Sequence, residues 1–265
     1  MQIFEHTPHL NLPDARVFVA GDWHSNSTWA EHMLQTMVSH DSSIRTVLHL
    51  GDFWPTEQFL QTIDRTAARS NIDRVLFIPG NHEPWPQLMQ IEEDLVPGEV
   101  ARISEAVWFL PRPFRFSVGG QRVLALGGAA SVDAPWRTPG IDWWPEERIT
   151  DKHVEVAISG GQADIMLTHD SPVSAVPAVQ KILANKSSWV RFKENALSAA
   201  QRERVETVWQ TVQPKLLMHG HMHVYDERHF SDGRRVLALA PDGATGNAVV
   251  LNLEDLSTEL ISTRL

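Results

Sequence analysis

The chain has 265 residues, of which 42% are hydrophobic, no cysteine, and a formal net charge of −10 at pH 7. Without cysteine, disulfides, iron–sulfur clusters and thiolate zinc sites are excluded, so a bound metal needs imidazole, carboxylate, amide or water ligands. The length and the hydrophobic content suffice for a large core, and we expect a single domain over residues 1–265.

Charge and hydropathy also limit the location and the partners. The first thirty residues lack a basic stretch followed by an apolar segment, and no apolar run reaches the length of a membrane span. We therefore expect a soluble, cytoplasmic protein without a membrane partner. The acidic balance disfavours a broad nucleic-acid-binding surface, which would need a basic face.

Short apolar runs alternate with helical patterns along the chain. Runs of about four to six apolar residues closed by glycine or a polar break are typical of buried strands. Five such runs end in a cluster of Asp, His or Asn residues, and they begin at Arg16, Thr46, Arg74, Asp164 and Lys215. Hydrophobic periodicity predicts helices over 28–40, 56–70, 86–95, 151–159 and 194–212.

Two regions are mainly β. Three strand-like runs in 107–127 are separated by proline or Gly-Gly turns, and two further runs in 224–263 follow the last polar cluster. The order of elements gives two β-α-β-like halves, each ending in hairpins. It predicts an α/β protein in which two mixed sheets pack face to face with helices outside.

The polar clusters at the strand ends predict one shared metal centre, because chemistry in open α/β sheets collects outside the carboxyl ends of strands. The clusters contain Asp22, His24, Asp52, Asn81, His82, Glu83, His169, Asp170, His221 and His223. Side chains alternate in an extended strand, so Asp22 and His24 should share one side, about 6–7 Å apart, with Trp23 packed on the other. The same reasoning applies to His221 and His223.

The ordered set D-x-H, G-D, G-N-H-E, H and G-H-x-H closely resembles the calcineurin-like metallophosphoesterase superfamily over about residues 16–223. Each piece alone is common, whereas all five in order, each after an apolar run, are very specific. The resemblance implies a four-layer α-β-β-α sandwich that holds two divalent ions. One ion would be held by Asp22, His24, Asp52 and His223. The other would be held by Asp52, Asn81, His169 and His221, with the Asp52 carboxylate bridging both ions.

The resemblance also implies a mechanism. Two ions about 3.5–4 Å apart clamp the attacking and leaving oxygens, and a hydroxide that bridges them attacks phosphorus directly. His82 would hydrogen-bond the phosphoryl oxygens or protonate the leaving alkoxide. Four imidazoles suit Mn²⁺, Fe²⁺ or Zn²⁺ better than Mg²⁺, and we expect Mn²⁺ from the habit of the family. Two divalent ions, two Asp ligands and a hydroxide together have a local charge of about +1, so the centre can attract phosphate.

Other histidines and acidic neighbours of the ligands carry weaker signals. Structural or exposed roles are expected for His6, His9, His32, His40, His153 and His229. For His49 and His219, core packing is favoured over a role behind the ligands. The sequence is equally compatible with two roles for Asp170, namely orienting His169 and capping the following turn. Glu83 is expected to hold ligands or loops rather than to touch substrate.

Residues 127–147 are unusually rich in Pro, Gly and Trp. We expect a long ordered loop near the metals, as in small phage and bacterial members of the superfamily. Arg137 is a candidate phosphate contact, and Trp143 or Trp144 is a candidate stacking platform for a base or sugar. Packing of these tryptophans against the domain surface is equally compatible with the pattern.

The second cluster departs from the protein Ser/Thr phosphatases. Their motif continues G-D-x-V-D-R-G, with an Asp that pairs with the catalytic His and an Arg that binds phosphate, whereas residues 51–57 here read G-D-F-W-P-T-E. Arg137 is a candidate for the missing cation. No appended nucleic-acid module or large cap is evident. We expect a phosphodiesterase for small nucleotides, cyclic ones included, ahead of a phosphomonoesterase or protein-phosphatase-like enzyme, a nuclease and a non-catalytic scaffold.

Overall fold

The computed structural model describes residues 5–185 and 192–263. The helices are α1 (Ser27–His40), α2 (Glu57–Ser70), α3 (Trp85–Asp94), α4 (Asp151–Ser159), α5 (Pro177–Ala184) and α6 (Phe192–Val212). The strands are β1 (Glu5–Pro8), β2 (Asn11–Leu12), β3 (Arg16–Ala20), β4 (Thr46–His49), β5 (Arg74–Phe77), β6 (Glu99–Arg102), β7 (Val107–Phe109), β8 (Phe114–Val118), β9 (Gln121–Leu126), β10 (Ile165–Thr168), β11 (Leu216–His219), β12 (Asp226–His229), β13 (Arg235–Ala238), β14 (Ala248–Asn252) and β15 (Thr258–Leu260). None of the described helices has the length and apolar composition needed to cross a bilayer.

The strands form two mixed sheets. The first sheet has the order β1-β6-β7-β5-β4-β3-β14-β15, and β3, β4, β5 and β7 run parallel. The second sheet has the order β12-β13-β11-β10-β9-β8-β2, and β9, β10, β11 and β13 run parallel. The predicted α/β architecture of two mixed sheets with flanking helices is confirmed.

Three apolar layers explain why the central strands read as unbroken apolar runs. Successive side chains of a strand point to opposite faces, so Val17 and Val19 of β3 pack between the sheets while Phe18 packs on the helix side. In β10, Leu167 likewise faces the first sheet and Met166 faces the outer helices. Both faces of these strands are buried, so the alternation of polar and apolar residues disappears.

The five predicted helices are present as α1, α2, α3, α4 and α6. The sequence pattern did not predict the eight-residue α5 or the short strands β1, β2, β6, β12 and β15. Several of these strands lie at sheet edges. An edge strand has a neighbouring strand on one side only, so polar residues are tolerated there. The strand β12, for example, reads Asp-Glu-Arg-His.

Asn247 joins the loop that contains Asp22 to neighbouring parts of the fold. Its buried Oδ1 accepts hydrogen bonds from the indole N–H groups of Trp23 (3.0 Å) and Trp29 (2.9 Å). Its Nδ2 donates to the backbone oxygens of Gly21 (2.6 Å) and Ala240 (2.9 Å). The amide thereby uses both donors and both acceptor sites. It ties the end of β3 to α1 and to the segment after β13.

Candidate metal centre

The predicted ligands converge at the carboxyl ends of strands from both sheets. Asp22, His24, Asp52 and His223 offer ligand atoms that all lie within 4.8 Å of one another, and we call them the first ligand group. Asp52, His169 and His221 form an equivalent set. Asn81 lies beside this set, because its Oδ1 is 3.0 Å from His169 Nε2. We call these four residues the second ligand group.

The Asp52 carboxylate divides its two oxygens between the groups. Oδ2 lies 3.3 Å from His24 Nε2, and Oδ1 lies 3.3 Å from His169 Nε2. Imidazole and carboxylate donors in two sets that share one carboxylate fit a pair of divalent transition-metal ions. They exclude neither Mn²⁺ nor Fe²⁺ nor Zn²⁺.

The ligand loops differ from the extended geometry expected from the sequence. Strand β3 ends at Ala20, and Asp22 and His24 have φ values of +55° and +49°. His221 and His223 also have positive φ, at +63° and +53°. The expected alternation along an extended strand is therefore wrong, although Trp23 is buried in the core as expected. Left-handed conformations of non-glycine residues cost energy and are typical of functional sites that the surrounding structure holds in place.

Glycines before the ligands allow backbone segments to approach closely. A Cβ atom at Gly80 would lie 2.1 Å from Asp52 Oδ1, and one at Gly220 would lie 2.2 Å from Asp22 Oδ2. Any side chain at these positions would displace a carboxylate of the centre.

The carboxylates strongly favour protonated imidazoles in the metal-free centre. Burial alone would lower the pKa of His24, but the hydrogen bond and the charge of Asp52 outweigh burial and raise it to about 9. Burial is likewise overcome at His169, where Asp52 raises the pKa to about 10. Burial would raise the pKa of Asp52, but the charge of His169 holds it well below its usual range. The centre therefore attracts positive charge in the form of protons or cations.

Groups behind the ligands fix the ring orientations. Nδ1 of His169 donates to the backbone oxygen of Leu50 (2.7 Å), which leaves Nε2 for the centre. Nδ1 of His24 lies 3.3 Å from Asp242 Oδ1, and Asp242 also accepts from Asn26 Nδ2 (2.7 Å). Asp242 was not predicted as a site residue, because Pro241-Asp242-Gly243 has the composition of an ordinary turn.

Glu83 holds two loops, as expected. Its buried carboxylate accepts from the backbone N–H groups of Phe53 (2.9 Å), Trp54 (2.8 Å) and Gly80 (3.1 Å). Burial, and then the charge of Asp52, raise the pKa of Glu83 to about 7. The side chain thereby keeps the segments that carry Asp52 and Asn81 together.

The structure also distinguishes between the alternatives for Asp170, His49 and His219. Asp170 accepts from the backbone N–H of Ser171 (2.8 Å) and makes no bond to His169, so it supports the local turn. His49 is buried and packs edge-on against Trp23, with 4.7 Å between ring centroids. His219 is buried, and its Nδ1 lies 2.9 Å from the backbone oxygen of Gly220. Both histidines belong to the packed interior.

His82 and Arg137 both lie near Asp133. The His82 backbone N–H donates to Asp52 Oδ1 (2.8 Å), and its partly exposed ring has Nε2 at 3.9 Å from Asp133 Oδ2. Nε of Arg137 also lies 3.9 Å from Asp133 Oδ2, and the Arg137 side chain is only 10% exposed. Its Nη1 has no hydrogen-bond partner among the described residues.

The loop 127–147 is ordered and places its two adjacent tryptophans differently. Trp144 lies close to Trp54, with ring centroids 6.2 Å apart, and both residues line a cavity of about 390 Å³. Trp143 lines another cavity together with Ser131 and Glu147. Two short 3₁₀ helices, Ala134–Trp136 and Pro145–Glu147, lie within the loop.

Comparison with known proteins agrees with this geometry. A family model described as calcineurin-like phosphoesterase matches residues 15–225. No curated protein shows significant sequence similarity. A dimetal phosphatase from Danio rerio is similar in structure, with 12% identity, 97% of this chain and 100% of that chain covered, and a TM-score of 0.59. TT1561 of Thermus thermophilus has 12% identity and a TM-score of 0.54, with 94% of this chain and 99% of that chain covered. The purple acid phosphatase PPD1 of yellow lupin has 14% identity and a TM-score of 0.51, with 94% of this chain and 51% of that chain covered. At such identities these structures show a shared fold.

Metal binding at pH 7 should release protons. His24 and His169, with pKa values of about 9 and about 10, are protonated there in the metal-free protein and must lose a proton to bind a cation. Calorimetric titration with Mn²⁺ in buffers of different ionisation enthalpy should detect about two released protons, and the affinity should rise between about pH 6 and pH 9.

The His24→Ala variant should release about one proton fewer. The His229→Ala variant is the control, because that side chain is 71% exposed. A binding enthalpy independent of the buffer would contradict the prediction.

Proposed function

Because this chain belongs to the calcineurin-like phosphoesterase family, we propose that it is a dimetal-dependent phosphodiesterase acting on small nucleotides, cyclic ones included. The family and the two ligand groups support a metal-dependent phosphoester hydrolase. The choice of a nucleotide substrate depends on one observation, the aromatic cavity beside the centre.

The first ligand group would hold one ion, and the second ligand group, including Asn81, would hold the other. When bound, two divalent cations supply a nucleophile at neutral pH and positive charge for the phosphoryl oxygens. We propose Mn²⁺, with Fe²⁺ and Zn²⁺ as alternatives that the donor set also accepts. The side chains around the centre then need to orient the phosphoryl group and to assist the leaving oxygen.

His82 is the proposed general acid. Its ring lies next to His24, with 5.7 Å between ring centroids, and its side chain is 30% exposed, so a substrate can reach it. Burial lowers its pKa, whereas the charge of Asp52 opposes that change. In this role Nε2 donates its proton to the leaving alkoxide, or a hydrogen bond to a phosphoryl oxygen if the leaving group is acidic enough to depart unaided.

Arg137 is the proposed phosphate contact. A nearly buried guanidinium whose Nη1 lacks a partner among the described residues is costly, unless an anion completes its hydrogen bonds. Arg137 and His82 both face Asp133, so an anion near His82 lies within the range of Arg137. A guanidinium can bind two phosphoryl oxygens at once.

The cavity beside the centre suits a flat apolar group. Trp54 follows Asp52 by two positions, and Pro84 follows His82 by two, so the chain places this cavity near the reacting groups. Further lining residues are Pro55, Thr56, Pro86, Gln87, Gly140, Ile141 and Trp144. Its volume of about 390 Å³ accommodates a nucleobase, which would stack on Trp144 or Trp54. Trp143 lines the other cavity, and we propose that it holds the loop.

A phosphomonoesterase is the second candidate. Asp133 lies 3.9 Å from both His82 and Arg137, so another loop brings an Asp and an Arg to the catalytic His, as the motif of the protein phosphatases does. A nuclease is less consistent with the net charge of −10. A non-catalytic scaffold is less consistent with a full set of ligands and His82.

A substrate panel separates the first two candidates. Metal-free protein reloaded with Mn²⁺ should hydrolyse an aryl phosphodiester and a 2′,3′-cyclic nucleotide with kcat/KM at least about tenfold above that for an aryl phosphomonoester. The Asp52→Asn variant controls for contaminating phosphatases. Hydrolysis of the monoester alone would favour the second candidate, and no hydrolysis of any ester would contradict the enzyme assignment.

Replacing His82 should affect poor leaving groups most. In the His82→Ala variant, kcat for a nucleoside or alkyl leaving group should fall by about 10²–10⁴-fold, because the departing alkoxide needs a proton. The loss should be much smaller for a nitrophenolate, which departs as an anion. Equal losses for both substrates would leave His82 with phosphate binding alone, and His229→Ala is again the exposed control.

Removing the stacking surface should change recognition of the base. The Trp144→Ala variant should raise KM for a nucleotide diester by about tenfold, while KM for a glycerophosphodiester stays unchanged. The Trp136→Ala variant is a matched control from the same loop, since Trp136 is 59% exposed. Unchanged KM values for both substrates in Trp144→Ala would eliminate the stacking role.

A further inference from the structure

Asn81 differs from the other ligands, because the two ends of an amide have similar shape but opposite function. Oδ1 can bind a cation, whereas Nδ2 carries hydrogens and cannot. Oδ1 lies 3.0 Å from His169 Nε2 on the side of the centre, and Nδ2 donates to Ser131 Oγ at 2.9 Å. The orientation of the amide therefore depends on the direction in which Ser131 donates its own hydrogen.

Glu147 fixes that direction. The backbone N–H of Ser131 donates to Glu147 Oε1 (2.6 Å), and Ser131 Oγ donates to Glu147 Oε2 (2.6 Å). An ionised carboxylate only accepts, so the serine hydrogen must point to Glu147 and the serine oxygen is left to accept from Asn81. Asn81 must then turn Nδ2 towards Ser131 and Oδ1 towards the centre.

Because these residues are buried, each hydrogen bond between them has to be made within the protein. Asn81, Ser131 and Glu147 are 2%, 5% and 1% exposed, so water has little access to replace a lost partner. The Arg112 guanidinium donates to the backbone oxygen of Glu147 (3.0 Å), which fixes the position of the residue. Burial raises the pKa of Glu147 to about 7 against the hydrogen bonds from Ser131, so the carboxylate is ionised at about pH 8.

We propose that Glu147 and Ser131 are positioning residues that keep the carbonyl oxygen of Asn81 turned towards the second ligand group. The proposal rests on the dimetal function proposed above. Both residues belong to the loop 127–147, so this loop would complete a metal site as well as border the substrate cavity. A role in loop packing alone would give the two residues no particular influence on the second ion.

The Glu147→Gln variant reverses the hydrogen-bond direction with little change in shape. Gln Oε1 can still accept from the backbone N–H of Ser131, which leaves its amide nitrogen to donate to Ser131 Oγ. The serine hydrogen would otherwise be buried without an acceptor, so it points to Asn81, and the Asn81 amide turns over to accept it. Its Nδ2 would face the centre, which disfavours a cation there. In a Ser131→Ala background this influence cannot reach Asn81.

Calorimetric titration of metal-free protein with Mn²⁺ at about pH 8 tests the proposal. Wild type should bind two ions, and Glu147→Gln should bind the second ion about 10–100-fold more weakly. Ser131→Ala should lose less, since its Asn81 amide is free to take either orientation, and the double variant should equal Ser131→Ala. Glu146→Gln, at the neighbouring position, should behave as wild type.

The outcomes separate this proposal from the proposed function. Wild-type affinity for both ions in Glu147→Gln would overturn the proposed positioning of Asn81 by Ser131 and Glu147. Additive losses in the double variant would overturn it as well. Fewer than two ions bound by wild type would instead contradict the dimetal function. If Glu147→Gln does not fold, Ser131→Ala and Ser131→Thr decide the question, because only the threonine keeps the hydroxyl. Equal second-ion affinity in these two variants would overturn the proposal.

Discussion

The arrangement depends on one buried carboxylate that serves two groups of ligands. Each oxygen of Asp52 lies 3.3 Å from an imidazole of a different group. A buried carboxylate is costly unless it is paired, so its neighbourhood must keep every partner in register. Gly80 leaves it room, the His82 backbone N–H donates to it, and Glu83 holds the loops on either side. These contacts hold the ligand loops in left-handed backbone conformations that would otherwise be unfavourable.

The fold supplies the ligands from several directions. Parallel strands β3, β4 and β5 of one sheet and β10 and β11 of the other end at a common edge, and the turns after them carry the polar side chains. Residues far along the chain complete the site: Asp242 faces His24, and Asn247 connects the loop of Asp22 with α1. The loop 127–147 places Asp133 within 3.9 Å of His82 and Trp144 close to Trp54.

The features predictable from sequence were those encoded locally. Buried strands and amphipathic helices leave short periodic patterns, and the ligand types stand directly after the strands, so the architecture and the converging residues were accessible. Asp242, Asn247, Ser131 and Glu147 were not, because their roles arise from contacts with residues distant in the chain. The extended geometry expected for Asp22 and His24 failed, because period-two reasoning holds only while a strand continues. Trp143 and Trp144 read alike in sequence, and only packing separates them.

Both ligand groups draw side chains from each of the two sheets, since Asp22, Asp52 and Asn81 follow strands of one sheet while His169, His221 and His223 follow strands of the other. An ion held in this way is a cross-link between the early and the late halves of the polypeptide. Its binding energy adds to the resistance of the folded state against denaturation, in proportion to the logarithm of the free ion concentration. The supply of trace metal would thus govern the lifetime of the protein as well as its turnover.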